Sequence, residues 1–274
     1  MKIEKSLIKE ITSNIAKSVE DRLISIYVTH RPDVTFSLPN VDLYQLFIIL
    51  DERTSVNDIL RLRNSLTKIR KMSNDKLFIN YIFNYEELPR YYYYIKENQS
   101  NLIIQYIIWT KDVLRHVLYS SDFVITLRHL ITDTEFIIGK KEIREWHLQR
   151  VYPWHCLYSF LEGITRYQMY LHELYLNEDI KRKYALFLHT AATSSILCAR
   201  NTLLIKNVTA RYATDIIRKF HKYFPNFGDI KLMNEIFKTA TGTVISADVA
   251  SRVFKLSLMF LKSLISYIVS ECFC

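Results

Sequence analysis

Five basic residues, Arg61, Arg63, Lys68, Arg70 and Lys71, fall within a helical apolar pattern made by Val56, Ile59, Leu60, Leu62, Leu66 and Ile69. Cationic side chains so placed are candidate phosphate contacts, although a helix of one sign is usually just solvated. Four consecutive tyrosines, Tyr91 to Tyr94, stand between Arg90 and Lys96. Exposed rings there could stack on bases. Consecutive helical residues point in different directions, so packing at a domain interface fits the run better. His147, His155 and Cys156 carry metal-ligating atoms, but Pro153 interrupts them and no second pair has fitting spacing. Structural histidines, and no metal, are expected. With only four glycines, the loops that cradle phosphates in Walker and Rossmann sites are largely excluded, and no nucleophile elbow occurs.

The elements that would position such residues come in two styles. Ile3, Leu7, Ile8, Ile11, Ile15 and Val19 recur at three and four, which predicts an amphipathic first helix. Leu23 to Thr29 reads as a short strand, followed by a loop punctuated by Pro32 and Pro39. Leu43 to Leu50 is nearly unbroken apolar sequence, suited to a strand covered on both faces. The basic helical pattern follows, then a third strand, LFINYIF, over 77–83. EELPRYYYYIKEN suggests a short helix, and Leu102 to Trp109 forms another apolar element. From about Phe123 helical patterns succeed one another, over 123–138, 140–151, 154–176, 178–204, 209–222, 228–238 and 247–270. Pro153, Asn177, Asn207, Pro225 and Gly242 lie near the breaks. The expected fold class is a small α/β domain, a mixed sheet flanked by helices over 1–122, followed by an all-α bundle over 123–274.

The net charge of +9 is spread along the chain and suits a polyanionic partner, whether RNA, DNA or nucleotide. A Lys-rich soluble protein would show the same balance. Cys156, Cys198, Cys272 and Cys274 form no CxxC pair, which suggests reduced thiols and a cytoplasmic protein. The last segment, VFKLSLMFLKSLISYIVSECFC, contains Lys255 and Lys262. Each lysine would cost about 2.5–3.5 kcal/mol at mid-bilayer, so a bundle helix is expected rather than a membrane span. Its apolar residues do not keep to one narrow stripe. It is therefore expected to be central in the bundle or covered by a second copy in a homodimer.

The N-terminal order of elements resembles the minimal nucleotidyltransferase fold of the polymerase-β-like superfamily. IYVTHRPD stands where that family has a strand ending in Gly-Ser, VDLYQLFIIL where it has a strand bearing Asp-x-Asp, and LFINYIF where it has a third strand with another carboxylate. YEELPRYYYYIKEN and VLYSSD echo segments that follow in the family. The helical part is similar to bundles of aminoglycoside-type nucleotidyltransferases and of the HEPN group, and RNTLLIKNVTARYATDIIRKFHKYFP carries that likeness.

The resemblance implies a site whose residues have largely changed. Thr29 and His30 replace Gly-Ser, so a hydroxyl donor remains but the close backbone approach glycine permits is lost. Asp42 and Tyr44 replace Asp-x-Asp. That pair works because alternate strand residues share a face, letting two carboxylates hold Mg²⁺ against phosphate. Asn80 and Asn84 on the third strand are neutral, while Asp33, Asp51 and Glu52 lack the alternate spacing. Arg182 and His189, with six residues between them, match an Arg–His pattern of HEPN ribonucleases and would lie about two helical turns apart. A helix-surface arginine and an unrelated histidine fit them better. The expected function is thus a catalytically degenerate nucleotidyltransferase-like binding or scaffolding module, with no cofactor. An active enzyme transferring NMP to a small molecule or protein, using Mg²⁺ and NTP, is the first alternative. A HEPN-type ribonuclease is the second.

Overall fold

A computed structural model describes residues 2–37, 41–72, 77–80, 102–117, 121–140, 150–161, 164–165, 180–242, 244 and 246–273. The first helix, α1 (Lys2–Ser18), leads into β1 (Leu23–His30), a one-turn helix α2 (Pro32–Thr35), β2 (Asp42–Leu50) and α3 (Val56–Met72). Then come β3 (Leu77–Asn80), β4 (Leu102–Thr110), α4 (Lys111–Val117), α5 (Ser121–Asp133) and β5 (Thr134–Gly139). After helical structure over residues 153–161, the chain ends in α6 (Ile180–Leu203), α7 (Ala213–Tyr223), α8 (Ile230–Ala240) and α9 (Ala247–Phe273).

The five strands form one mixed sheet in the order β3-β4-β2-β1-β5. β1 runs antiparallel to both β2 and β5, whereas β2, β4 and β3 are parallel. Successive strand residues point to opposite faces, so β2 feeds two cores. Tyr44, Leu46, Ile48 and Leu50 meet Ile8, Ile11 and Ile15 of α1 and Leu62 and Leu66 of α3. Phe47 and Ile49 meet Leu114 of α4 and Leu127 and Leu130 of α5 on the other side. Burial of each such side chain contributes roughly 1.5–3 kcal/mol, which is why the β2 sequence is apolar almost throughout. A reciprocal cap starts α3. The Ser55 N–H donates to Asp58 Oδ2 at 2.7 Å while the Asp58 N–H donates to Ser55 Oγ at 3.3 Å.

In the helical half, α6 supplies the central wall through Ala191, Ala192, Ile196, Ala199 and Leu203. Phe220, Phe224, Phe227 and Phe260 pack against one another by offset stacking and edge contacts, with Phe220 and Phe227 edge-on at 5.5 Å. α6 ends where Asn207 takes a left-handed conformation, φ 54°, and the Val208 N–H returns to the Leu203 carbonyl at 3.1 Å.

Mixed α/β structure followed by helices is therefore observed, with two departures from expectation. The pattern over 123–138 is not one helix: α5 stops at Asp133 and β5 extends the sheet beyond residue 122. In α9, Val253, Phe260, Leu261, Leu264 and Ile268 form a buried stripe, while Arg252, Lys255, Leu258, Met259 and Lys262 are exposed. That face makes α9 a wall of the bundle rather than its centre. It is also long and apolar enough to cross a membrane over Ala247–Ser270. Residues 81–100, with the tyrosine run and Asn84, lie outside the described residues, as do His147 and Cys274.

Candidate functional site

The sheet is crossed by a row of polar residues. Thr29 of β1 is in register with Thr134 of β5 and Gln45 of β2; Gln45 is in register with Gln105 of β4, and Gln105 with Asn80 of β3. Gln45 and Gln105 each interrupt an otherwise apolar strand. Buried amides require hydrogen-bond partners, and Gln45 Nε2 donates to Gln105 Oε1 at 2.7 Å. Arg31, immediately after β1, donates from Nη1 to Gln45 Oε1 at 2.7 Å. It also grips Asp33 with two parallel bonds, Nε to Oδ1 at 2.9 Å and Nη2 to Oδ2 at 2.7 Å.

Arg200 on α6 completes this buried network from the opposite side. Its Nη1 donates to Asp33 Oδ2 at 2.7 Å, its Nη2 donates to Asp133 Oδ2, and its Nε donates to the Ala210 carbonyl at 2.9 Å. Arg200 is 1% exposed and Asp33 fully buried. Two guanidinium groups thus balance two carboxylates, and their donors are directed at named acceptors, which is what a low-dielectric interior demands of charge. Burial by itself would raise the Asp33 pKa. The Arg200 and Arg31 charges and the Arg31 hydrogen bonds outweigh it and hold the carboxyl well below its usual range. His129, buried beside them, is pushed well below its usual value by desolvation and then by Arg200. Its Nε2–H reaches Asn201 Oδ1 at 2.8 Å.

A second, more open cluster occupies the other face of the same strand ends. His30 is in register with Tyr44, and the two rings stack with centroids 4.9 Å apart. His30 Nε2 lies 2.7 Å from Asp42 Oδ1. Arg211 donates to the His30 carbonyl at 3.3 Å and to Glu135 Oε1 at 2.6 Å. The four expected positions therefore divide by strand periodicity. His30, Asp42 and Tyr44 come together towards the α1 and α3 side, and Thr29 belongs to the polar row beneath α6.

The chain matches no family model and no curated protein.

The remaining candidates are dispersed. Arg61 is engaged with Asp58 of its own helix, and Arg63 and Lys68 are exposed on α3. Arg70 and Lys71 belong to α3 and Arg182 to α6, but their side chains fall outside the described residues. His189 does not face solvent: it is buried, and its Nδ1 is hydrogen-bonded to Ser37 Oγ just after α2. Burial lowers its pKa to about 4, so it is neutral at pH 7. His155 Nδ1 accepts the Tyr152 N–H at 2.8 Å, and Cys156 Sγ donates to the Asn201 carbonyl at 3.4 Å. Among the described residues no group of three or more His, Cys, Asp and Glu side chains could hold a metal ion.

Arg31, Gln45, Gln105, Asp133 and Arg200 escaped sequence reasoning. The two glutamines did leave a signal, a single polar residue inside each apolar run. Nothing local marks Arg200 among the other arginines of the chain, because its partners are 67 and 167 residues away.

Proposed function

We propose that this protein is a nucleotidyltransferase-like module that has given up metal-dependent transfer and serves to bind nucleotide or nucleic acid. What carries the reading is the occupation of each acid around the strand ends by a basic group of the protein itself. Asp33 is held by Arg31 and Arg200, Asp133 by Arg200, and Asp42 by His30. Magnesium requires anionic oxygens in direct contact at about 2.0–2.1 Å, and here it would have to displace a guanidinium or an imidazole. The segment after β1, where the resemblance would seat a triphosphate, is also packed under helices. Thr193 Oγ1 of α6 approaches the Val34 carbonyl at 3.4 Å, and Phe36 stacks on Phe237 of α8 with centroids 5.6 Å apart. His189 is buried against Ser37, where an RNA substrate would not reach it, which weighs against a ribonuclease pair with Arg182.

Binding would draw on the +9 charge and on the exposed α3 cations Arg63 and Lys68. A gel shift with RNA or DNA should weaken steeply with salt, as phosphate contacts release counterions. Labelled ATP, GTP, CTP or UTP with Mg²⁺ or Mn²⁺ should give no transfer product. Product that disappears in Asp42→Asn would replace this reading with an active transferase. RNA cleavage lost in His189→Ala would replace it with a ribonuclease. A homodimer through α9 and a cytoplasmic setting belong to the same proposal, the latter suggested by the buried free thiols of Cys156 and Cys198.

A further inference from the structure

The helical stretch 153–161 is apolar on two sides. Its inner side gives Cys156 and Phe160 to the bundle core, together with Val151 just before it. Its outer side shows Trp154, Tyr158 and Leu161, which are 51, 52 and 60% exposed, and Tyr152 stands beside them at 46%. Residues at spacings of four and three form one stripe on a helix. A contiguous exposed patch of this kind marks an interaction surface. The Tyr152 and Trp154 rings are parallel to within 5°, with centroids 6.4 Å apart, and the Arg150 guanidinium lies 6.0 Å from the Tyr152 centroid.

We propose that Tyr152, Trp154 and Tyr158, with Arg150, form a stacking platform for unpaired bases of single-stranded nucleic acid. Aromatic faces stack on any base, and an adjacent arginine meets the phosphate or the base plane. In a duplex the base faces are already stacked, so the platform selects single strands. Charge favours this occupant: the patch carries Arg150 on a chain of net charge +9, and a nucleic acid strand is its electrostatic complement, whereas the second copy proposed above is assigned to α9. The inference rests on the nucleic-acid part of the proposed function and gives it a surface and a strandedness.

Fluorescence anisotropy of labelled oligouridine, free and paired with oligoadenosine, tests this on the full chain at low salt. Wild type should bind the single strand more tightly than the duplex. Tyr158→Ala and Trp154→Ala should each weaken single-strand binding by about 5- to 100-fold, and Trp154→Phe should retain most of it. Trp154 lies 3.6 Å from the buried His155 ring, so Tyr158→Ala guards against a folding defect, with circular dichroism as the control. Unchanged binding in both alanine variants, together with loss in Arg63→Glu/Lys68→Glu, overturns the platform and leaves polyanion binding by α3 standing. No binding by wild type overturns both. Equal affinity for duplex, or a dimer in sedimentation that Tyr158→Ala dissolves, also overturns the platform.

Discussion

At the scale of residues, the guanidinium of Arg200 is the most consequential group in the described structure. It bridges Asp33 and Asp133, and removing it would leave buried carboxylate with one arginine, Arg31, to neutralise it. Arg200→Met should therefore lower unfolding free energy by about 3–5 kcal/mol, measurable by urea denaturation. Arg200→Lys should recover little, because an ammonium cannot present the fork that two acids and a carbonyl require. His189 gives a pH signature. Its folded pKa of about 4 lies below the unfolded value of 6.5, so between these limits the unfolded state binds more protons. The stability contributed by neutral His189 is complete above about pH 6.5 and declines as pH falls towards 4, by up to about 1.4 kcal/mol per pH unit. His129 and His155 shift in the same direction, so His189→Gln should flatten the acid limb of a stability–pH curve without abolishing it. Neither effect could be read from the sequence: Arg200 sits in a helix whose periodicity announces only its apolar stripe, and nothing beside His189 in the chain marks it as buried against Ser37.

At the scale of elements, legibility followed periodicity. The apolar stripe of α1, the nearly unbroken run of β2 and the breaks at Asn207 and Gly242 are local properties, and the structure agrees with them. β5 was hidden because Val124, Ile125, Leu127, Leu130 and Ile131 carry a helical rhythm into a six-residue strand, TEFIIG, too short to announce a period of its own. Its end is fixed by Gly139. That residue has φ 85°, and a Cβ there would lie 2.3 Å from the Ile24 carbonyl oxygen. Gly139→Ala should accordingly cost more than about 1 kcal/mol and loosen the β1–β5 edge, which amide hydrogen exchange at β5 would register. The α3 cap is a second check at this scale. Ser55→Ala removes one half of a reciprocal pair and should cost about 0.5–2 kcal/mol, read as a lowered denaturation midpoint.

For the whole molecule, the issue is whether the α/β and helical parts stand apart as the change to successive helical patterns near residue 123 suggests. The contacts argue that they are interdependent. β1 takes one of its two partner strands from beyond that point, and Val34, Leu43 and Ile103 are sealed by Leu197 of α6. Asp33 takes one of its two cations from α6, Ser37 is hydrogen-bonded to His189, and Phe36 stacks on α8. A fragment of residues 1–122 would carry β1 with a bare edge, the template for aggregation that folded sheets avoid, and an Asp33–Arg31 pair exposed to solvent. Such a fragment should be insoluble or lack a cooperative transition. Adding residues up to 140 restores β5 and should improve solubility, yet it leaves the surface under α6 uncovered. Supplying 150–274 as a separate chain should then yield a complex that unfolds in one transition, seen together by far-ultraviolet circular dichroism and tryptophan fluorescence. Arg200→Met in the second chain should weaken that complex, because the charge pairing with Asp33 spans the break. Cooperative unfolding of 1–122 alone would instead mean that the sheet's own cores suffice and that the ionic junction only orients two autonomous parts.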